Sequence, residues 1–209
     1  MHPLVQLKNT RVWPYFHKKI YNAYQQVFNF QQHGWMNIQS YQLNLPYENA
    51  SEAIRLHDAI SNIIPYLPAF MASSPIYEGK FGENIDNRLH FYRINQKEIP
   101  SITGDLIPEY FNSIEDYKAG TIGKYTEEFK KRKVDKVMWD AEWVNSRGAI
   151  FRFDRDAIEI RLMDEQECIK IDVAVSCYIR ALLRGLLDPQ MDFKPLPHEN
   201  LVSDVTAIT

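Results

Sequence analysis

Apolar and charged residues alternate with a period of two in the segment "AIEIRLMD", residues 157–164. A strand places alternate side chains on opposite faces, so the aliphatic residues share one face and Glu159, Arg161 and Met163 share the other. The aliphatic positions are Ile158, Ile160 and Leu162. The preceding "GAIFRF" and the "DRD" between the two runs predict a β-hairpin. Its aliphatic face belongs in a core, and its charged face either meets water or holds chemistry.

The N-terminal part of the chain predicts a helix followed by a strand. Apolar side chains recur every three or four positions over residues 15–34, which predicts a helix of about five turns that ends at Gly34. Residues 36–46 then alternate as a strand, and Gln42 and Asn44 fall on the same face. The two amides are therefore expected to project together from the predicted sheet.

A dense apolar pattern over residues 49–75 predicts a mostly buried helix. Asn49 or Ser51 suits its N-cap, because a short polar side chain there accepts a hydrogen bond from the first turn. Pro65 and Pro68 each lack a backbone donor, so the helix is expected to kink or break at these positions.

The remaining pattern defines the fold class and the domain division. Residues 75–125 predict long loops with short helices, and residues 169–187 predict a second well-buried helix. An antiparallel sheet with helices packed on one face is an α+β fold. We expect one lobe over residues 1–187 and a Pro-rich tail or linker over residues 188–209.

Composition argues against several classes of protein. The chain has 209 residues, 45% of them hydrophobic, which is enough for one sizeable core. A net charge of −3 gives no electrostatic reason to expect nucleic acid or an anionic membrane as a partner. No apolar run reaches the length of a membrane span. Cys168 and Cys177 are expected as buried free thiols in a reducing cytoplasm, and His57 is expected on a helix surface.

The charged face of the hairpin has two interpretations. A carboxylate beside arginines and amides suits a metal–phosphate site, in which Glu159 would bind Mg²⁺ and Arg161 would grip phosphate or carboxylate oxygens. Arg147 and Arg152 precede the second strand and would add cations. Alternatively, the face is solvated and its charges form cross-strand pairs. Periodicity alone leaves both interpretations open.

Four segments carry a family resemblance when they are taken in this order: "LPAFMASSPIYEG", "DNRLHFYR", "IPSITGDLIPE" and "EWVNSRGAIFRFDRDAIEIRLMDEQEC". They resemble the glutamate–cysteine ligase type 2 family, also called carboxylate–amine ligases, from about His2 to Leu187. Family members resemble glutamine synthetase in fold and join a carboxylate to an amine with ATP and Mg²⁺. The resemblance implies a partial glutamine-synthetase-like sheet and glutamate as the acid. In true glutamate–cysteine ligases the product is γ-glutamylcysteine, the precursor of glutathione.

The resemblance implies a role for each matching residue. Glu159 matches a metal-binding glutamate, and Arg161 and Arg147 match catalytic arginines. The residues implied to bind ATP are Arg88, Arg93, Ser73 and Ser74. The residues implied to bind the substrates are His2, Gln42 and Asn44. Gln42 and Asn44 replace two histidines of many relatives, and amides are poorer metal ligands than imidazoles.

The resemblance covers the middle and later core of the family, and the family's early Glu-x-Glu strand has no counterpart in it. One hypothesis is a ligase lobe acting on small molecules, with a homo-oligomer or a second chain supplying the strand. The alternative is a shortened, non-catalytic protein that binds a partner. One carboxylate is few for a nucleotide-bound magnesium cluster, so the chain is expected to bind Mg–ATP weakly or incompletely.

Overall fold

A computed structural model describes residues 2–12, 18–34, 36–37 and 40–208 of the chain. The strands within these ranges are β1 (Ser40–Pro46), β2 (Ile76–Tyr77), β3 (Lys80–Phe81), β4 (Ala149–Arg152) and β5 (Ala157–Asp164). β1, β5 and β4 form a three-stranded antiparallel sheet in that order, and β2 and β3 form a small separate ribbon. The predicted hairpin is confirmed as β4 and β5.

Helices make up most of the remaining structure. The α-helices are α1 (Lys18–Val27), α2 (Ala50–Ile63), α3 (Leu67–Met71), α4 (Asn87–Ile94), α5 (Ile114–Tyr117), α6 (Lys124–Lys131), α7 (Ile169–Leu187) and α8 (His198–Ile208). A π-helical segment, Lys118–Gly123, joins α5 to α6. Short 3-10 helices cover Leu7–Asn9, Ile64–Tyr66, Pro100–Ile102, Lys136–Met138, Glu142–Val144, Phe153–Arg155 and Pro189–Met191. Mixed helices and an antiparallel sheet confirm the α+β class.

One face of the sheet packs against α2 and the turn that follows it. The side chains of Ile64 and Leu162 both lie next to Gly148, where an added Cβ atom would be 2.8 Å from each of them. Asn49 is the N-cap of α2, where its side chain accepts from the Glu52 amide at 3.0 Å. The helix gives way to the 3-10 turn that contains Pro65, as predicted. We call this side of the sheet the helix face, and the opposite side, with Glu159 and Arg161, the charged face.

A β-bulge interrupts the alternation of β5. The register shifts so that Gln42 stands opposite two residues, Arg161 and Leu162. Beyond the bulge Met163 pairs with Tyr41, and the Tyr41 hydroxyl hydrogen-bonds Ser176 of α7, which packs against α2. Met163 therefore lies on the helix face, and its predicted place beside Arg161 is wrong.

The same shift brings Asp164 to the charged face. Asp164 pairs with Ser40 across the sheet, and directly paired residues project from the same face. Helices were predicted on one face only, but residues of α1 and α4 line a cavity on the charged face as well. Both faces of the sheet are thus covered.

The first predicted helix is shorter than expected. α1 ends at Val27, and the chain then turns so that Phe28 and Phe30 are buried, with Phe30 stacked on Tyr24 at 5.9 Å between ring centroids. Aromatic burial therefore ends the helix seven residues before Gly34. Residues 15–17, which the prediction included, lie outside the described residues.

The predicted burial of α7 and of three individual side chains is wrong. α7 buries Ile179 and Leu183 but leaves Tyr178 51% exposed, and Cys168 and Cys177 are exposed free thiols. His57, expected at a helix surface, is fully buried and stacks on Phe151 at 5.2 Å. A high density of apolar residues does not predict how much of a helix is buried, because burial depends on which other parts of the chain pack against it.

The C-terminal segment packs against the rest of the chain. α8 buries Leu201 and Val205, and the amide of Leu196 donates to Asn62 of α2 at 2.8 Å. The boundary predicted between residues 1–187 and 188–209 stays a prediction. Within the described ranges, none of the helices is both long and apolar enough to cross a membrane.

We expect Asn49→Ala to lower the free energy of unfolding by about 1 kcal/mol, because the variant loses the cap of α2. Urea denaturation measures the change. Ser51→Ala is the matched control, since Ser51 lies in the same first turn without capping it. Equal effects of the two substitutions would contradict the assignment of the cap.

Candidate functional site

Glu159 lies on the charged face with only 1% of its surface exposed. Arg152 Nη1 lies 2.8 Å from its Oε2, and Arg161 Nε lies 3.2 Å from its Oε1. Arg155 Nη1 lies 3.6 Å from Oε2. The face is therefore not open to water here, and guanidinium groups of the same hairpin neutralise the carboxylate.

These contacts determine how the site relates to Mg²⁺. A hard cation prefers several oxygen ligands, but both oxygens of Glu159 face guanidinium groups, which repel a cation. Within the described ranges, no three His, Cys, Asp or Glu side chains lie close enough together to hold a metal ion. The residues present do not fit Mg²⁺ as placed, so the metal role of Glu159 stays a prediction that its contacts do not support.

Asp164 is a buried acceptor on the same face. Arg88 Nε donates to Asp164 Oδ1 at 2.5 Å, and both residues are almost completely buried. The Ser73 amide and the Ser74 hydroxyl donate to Asp164 Oδ2 at 3.0 and 2.8 Å. The two serines predicted to bind ATP therefore bind this carboxylate in the structure.

The Arg88 guanidinium is held on two sides and unsatisfied on the third. Nη2 donates to the carbonyls of Met163 at 2.9 Å and Arg161 at 3.3 Å. Nη1 has no hydrogen-bond partner among the described residues. The buried hydroxyl of Tyr92, one helical turn further along α4, has none there either. Such groups are costly to bury, because water no longer satisfies them.

A cavity of about 210 Å³ lies between the charged face, α1 and α4. Its cations are Arg88 and Arg161. Its aromatic residues are Tyr24, Tyr92 and Trp143. Its neutral polar residues include Ser40, Gln42, Asn95, Gln96 and Ser146. The cavity combines fixed positive groups, neutral donors and flat apolar walls, a combination suited to a small anion.

Two details define the cavity wall near α1. Gly34 has φ +93°, a backbone conformation that favours glycine, and a Cβ atom there would lie 2.4 Å from the end of the Asn95 side chain. Burial raises the pKa of Tyr24 well above its usual range, although nearby Arg161 opposes the shift. Tyr24 is therefore a neutral phenol at any physiological pH.

Asp86 caps α4. Its side chain accepts from the Leu89 amide at 2.8 Å and lies 3.4 Å from the Ser74 hydroxyl. Burial, and then the charge of Asp164, raise the pKa of the Asp86 carboxyl to about 6. The Asp86 carboxyl thus gains or loses a proton close to neutral pH.

The structure does not bring Arg147 into the cavity. Its Nε and Nη2 donate to both oxygens of Glu109 at 2.5 and 2.6 Å, and Nη1 donates to the Ser101 carbonyl at 3.1 Å. Arg147 is only 2% exposed, so it clamps the loop before β4. A catalytic role for Arg147 stays a prediction that these contacts do not support.

Three further predicted residues also lie away from the cavity. Arg93 lines a separate cleft of about 600 Å³ with Asp86 and His90, on the opposite side of α4 from Arg88. Asn44 accepts from Arg155 Nη1 at 3.4 Å, and exposed His2 accepts from the Leu4 amide at 3.2 Å. Of the predicted site residues, the cavity therefore collects Arg88, Arg161 and Gln42.

Several residues of the site were not singled out from the sequence. Arg88 and Tyr92 lie four positions apart in "DNRLHFYR", so helical spacing could have paired them. Asp164 ends the segment "EIRLMD", but strict alternation assigns it to the wrong face because the bulge carries no sequence signal. Trp143 reaches the cavity from a short 3-10 helix and Gln96 from the turn after α4, and periodicity places neither of them.

Comparison with known proteins matches the chain to one family. The family model for glutamate-cysteine ligase family 2 (GCS2) matches residues 1–207. An uncharacterised protein of Archaeoglobus fulgidus is 50% identical over 188 residues, which cover 90% of this chain and 50% of that protein. The chain thus spans about half the length of this relative. No solved structure matches the chain.

We expect Asp86→Asn to stabilise the protein at pH 8. The folded-state pKa of Asp86, about 6, exceeds the ordinary value of 3.8. The contribution of Asp86 to the free energy of unfolding is therefore complete below about pH 4 and is lost as pH rises through 6. Asparagine still caps α4 but never ionises. The gain should approach about 2–3 kcal/mol at pH 8 and shrink toward pH 4. Urea denaturation across this range measures it.

Asp192→Asn is the control, because that aspartate side chain is 83% exposed. Its substitution should change stability little at any of these pH values. A constant difference between Asp86→Asn and wild type from pH 4 to 8 would contradict the raised pKa.

Proposed function

Because the chain belongs to glutamate-cysteine ligase family 2, we propose that it is the carboxylate-binding part of an ATP-dependent carboxylate–amine ligase. The observation that carries this proposal is that Arg88 and Arg161 both line one cavity on the charged face of the sheet. We further propose a partial glutamine-synthetase-like sheet, with glutamate as the acid and a small amine such as cysteine as the acceptor.

The proposed reaction has a simple chemical requirement. A carboxylate is a poor electrophile, so one of its oxygens first attacks the γ-phosphorus of ATP and ADP leaves. The amine then attacks the acyl carbon, phosphate leaves with its bonding electrons, and the amine nitrogen loses a proton. The protein must hold an anion in a fixed position and balance its charge, which arginine does well.

Arg161 is suited to this task because its guanidinium is held in place. It contacts the Glu159 carboxylate and donates to the carbonyl of Asn145. A group held in this way needs little reorganisation when a substrate binds. We therefore propose Arg161 as the charge-balancing residue of the site.

ATP and Mg²⁺ enter the proposal through the family. The described residues do not fit the metal, and a cavity of about 210 Å³ is smaller than the sites of roughly 300–1,000 Å³ that hold larger ligands. We propose that the groups binding metal and nucleotide come from polypeptide equivalent to the other half of the relative.

The outer edge of β1 offers a place for such polypeptide. Within the described ranges, backbone hydrogen bonds pair β1 only with β5, whereas the Phe151 amide at the outer edge of β4 donates to the Tyr117 hydroxyl at 3.3 Å. An open strand edge readily pairs with another strand. We propose that a homo-oligomer or a second chain supplies the strand that pairs with this edge.

A second candidate is a non-catalytic, ligase-like binding protein. The arginines around Glu159 favour it, since they leave this carboxylate without a free oxygen for a metal. Such a protein would bind a carboxylate in the cavity but form no amide under any condition.

We expect ATP-dependent amide formation from glutamate and an amine panel, detected by mass spectrometry, once polypeptide equivalent to the other half of the relative is supplied. Arg161→Lys should lower the rate at least tenfold, because lysine keeps the charge but loses the planar fork. Arg180→Lys on exposed α7 is the matched control and should leave the rate unchanged. Absence of amide product with every amine would contradict the ligase proposal.

The chain alone should bind Mg–ATP weakly, because the described residues form no metal cluster. Isothermal titration calorimetry should find no micromolar site. Co-expression with the part of the Archaeoglobus relative outside the match should produce a complex with tighter binding. Micromolar binding of Mg–ATP by the chain alone would show that a metal–nucleotide site exists without a second polypeptide.

A further inference from the structure

The outer side of α7 carries an apolar stripe. Five exposed positions are separated alternately by three and four residues: Ile171, Ala174, Tyr178, Ala181 and Gly185. Residues at this spacing lie along one line of a helix, and such a line is where one helix packs against another. We call these five residues the α7 seam.

The α7 seam is uncovered within the described part of the chain. Ile171 and Tyr178 are 39% and 51% exposed, and a Cβ atom added to Gly185 would meet nothing within 4 Å. Phe70 of α3 is 64% exposed and lies 5.8 Å from Tyr178 between ring centroids, so it extends the apolar surface. Contiguous exposed apolar surface marks a site of protein association.

Charge restricts the kind of partner that this surface fits. Lys170, Cys177 and Arg184 recur every seven residues along one flank of the seam, and all three are exposed. The single acidic residue of α7, Asp172, is buried. A helix packed on the seam would therefore be complementary if its own edge were acidic, because flanking charges select the partner of a packed helix.

A second copy of the chain fits the α7 seam poorly. If two α7 helices packed antiparallel on their seams, the same flank of both copies would meet, and Lys170 would lie opposite Arg184 of the second copy. Like charges in such positions oppose association. The flank therefore favours a polypeptide of different sequence.

We propose that the α7 seam binds a helix with an apolar face and an acidic edge, contributed by polypeptide equivalent to the other half of the Archaeoglobus relative. The match covers 50% of that relative, so about as much chain lies outside it. This inference rests on the proposed function, which requires such polypeptide, and it names the surface that receives it.

The place of α7 in the fold supports this occupant. Ser176, on the side of α7 opposite the seam, hydrogen-bonds Tyr41 of β1. Within the described ranges, backbone hydrogen bonds pair β1 only with β5, and a strand added at its open edge would lie about 4.8 Å from it. Polypeptide that pairs with β1 would therefore lie next to α7. It would cover the apolar residues that make α7 resemble a buried helix in the sequence.

Cys177 provides a readout that does not depend on ATP or on catalysis, because it is an exposed free thiol on the flank of the seam. Cys168→Ala leaves Cys177 as the single thiol, and the Cys168 side chain makes no capping hydrogen bond. We would co-express this chain with the part of the Archaeoglobus relative outside the match and label the purified complex with a maleimide. Labelling should be about tenfold slower than in the chain alone at concentrations well above the Kd, where little chain is dissociated.

Ala181→Arg places a bulky cation in the middle of the seam and should raise the Kd of the complex at least about tenfold. Ala207→Arg, the same substitution at an exposed position of α8, is the matched control and should change the Kd less than about twofold. Analytical ultracentrifugation of the diluted complexes gives these constants. Arg184→Glu should also weaken the complex, more strongly at low salt, because it sets a carboxylate against the acidic edge.

Four results would overturn the inference: no complex after co-expression, equally fast labelling of Cys177 in the complex and in the chain alone, an unchanged Kd in Ala181→Arg, or a dimer of the chain alone that Ala181→Arg abolishes. Circular dichroism shows whether Ala181→Arg is folded, and the labelling of Cys177 decides the question if it is not.

The outcome is separable from that of the ligase proposal. A complex that protects Cys177 but forms no amide with any amine would leave this inference standing while the ligase proposal fails. Amide formation by a complex in which Cys177 stays fully reactive would do the reverse.

Discussion

The buried ion pair between Arg88 and Asp164 organises the charged face of the sheet. Removing one member of such a pair typically costs about 3–5 kcal/mol, because the other charge stays buried without compensation. Asp164 also accepts from Ser73 and Ser74, so one carboxylate ties the end of the α3 segment and the start of α4 to the last core strand. The cavity exists because α4 is held at this distance from the sheet.

The bulge in β5 makes this ion pair possible. With strict alternation Asp164 would project toward α2 and the aliphatic core, where an ionised carboxylate is very costly. The extra residue opposite Gln42 instead leaves Leu162 and Met163 in the core and moves Asp164 to the face of Arg161. One irregular step in the register thus separates the apolar layer from the charged layer and builds the site.

The charged groups on and around this face already contact opposite charges, and these contacts limit what the site can do. Glu159 is enclosed by arginines, and Arg147 is committed to both oxygens of Glu109. The chain therefore presents a cavity lined by Arg88 and Arg161, whereas its described residues form no cluster for a metal ion. Family membership and this pocket support the same proposal, in which the chain receives the acid and further polypeptide completes the nucleotide site.

The sequence by itself determined the hairpin, the α+β class and the family, because each depends on local periodicity or on ordered motifs. It limited the cap of α2 to Asn49 or Ser51, and the structure shows Asn49 in that position. Only the tertiary structure decided that Asp164 joins the charged face and that Arg147 lies apart from it. The structure also shows that much of α7 is exposed and that His57 is buried. The burial of a side chain, the sheet face on which it lies and the ion pairs it forms depend on residues that are distant in the chain. The spacing of residues in the sequence does not predict which of these distant residues come into contact.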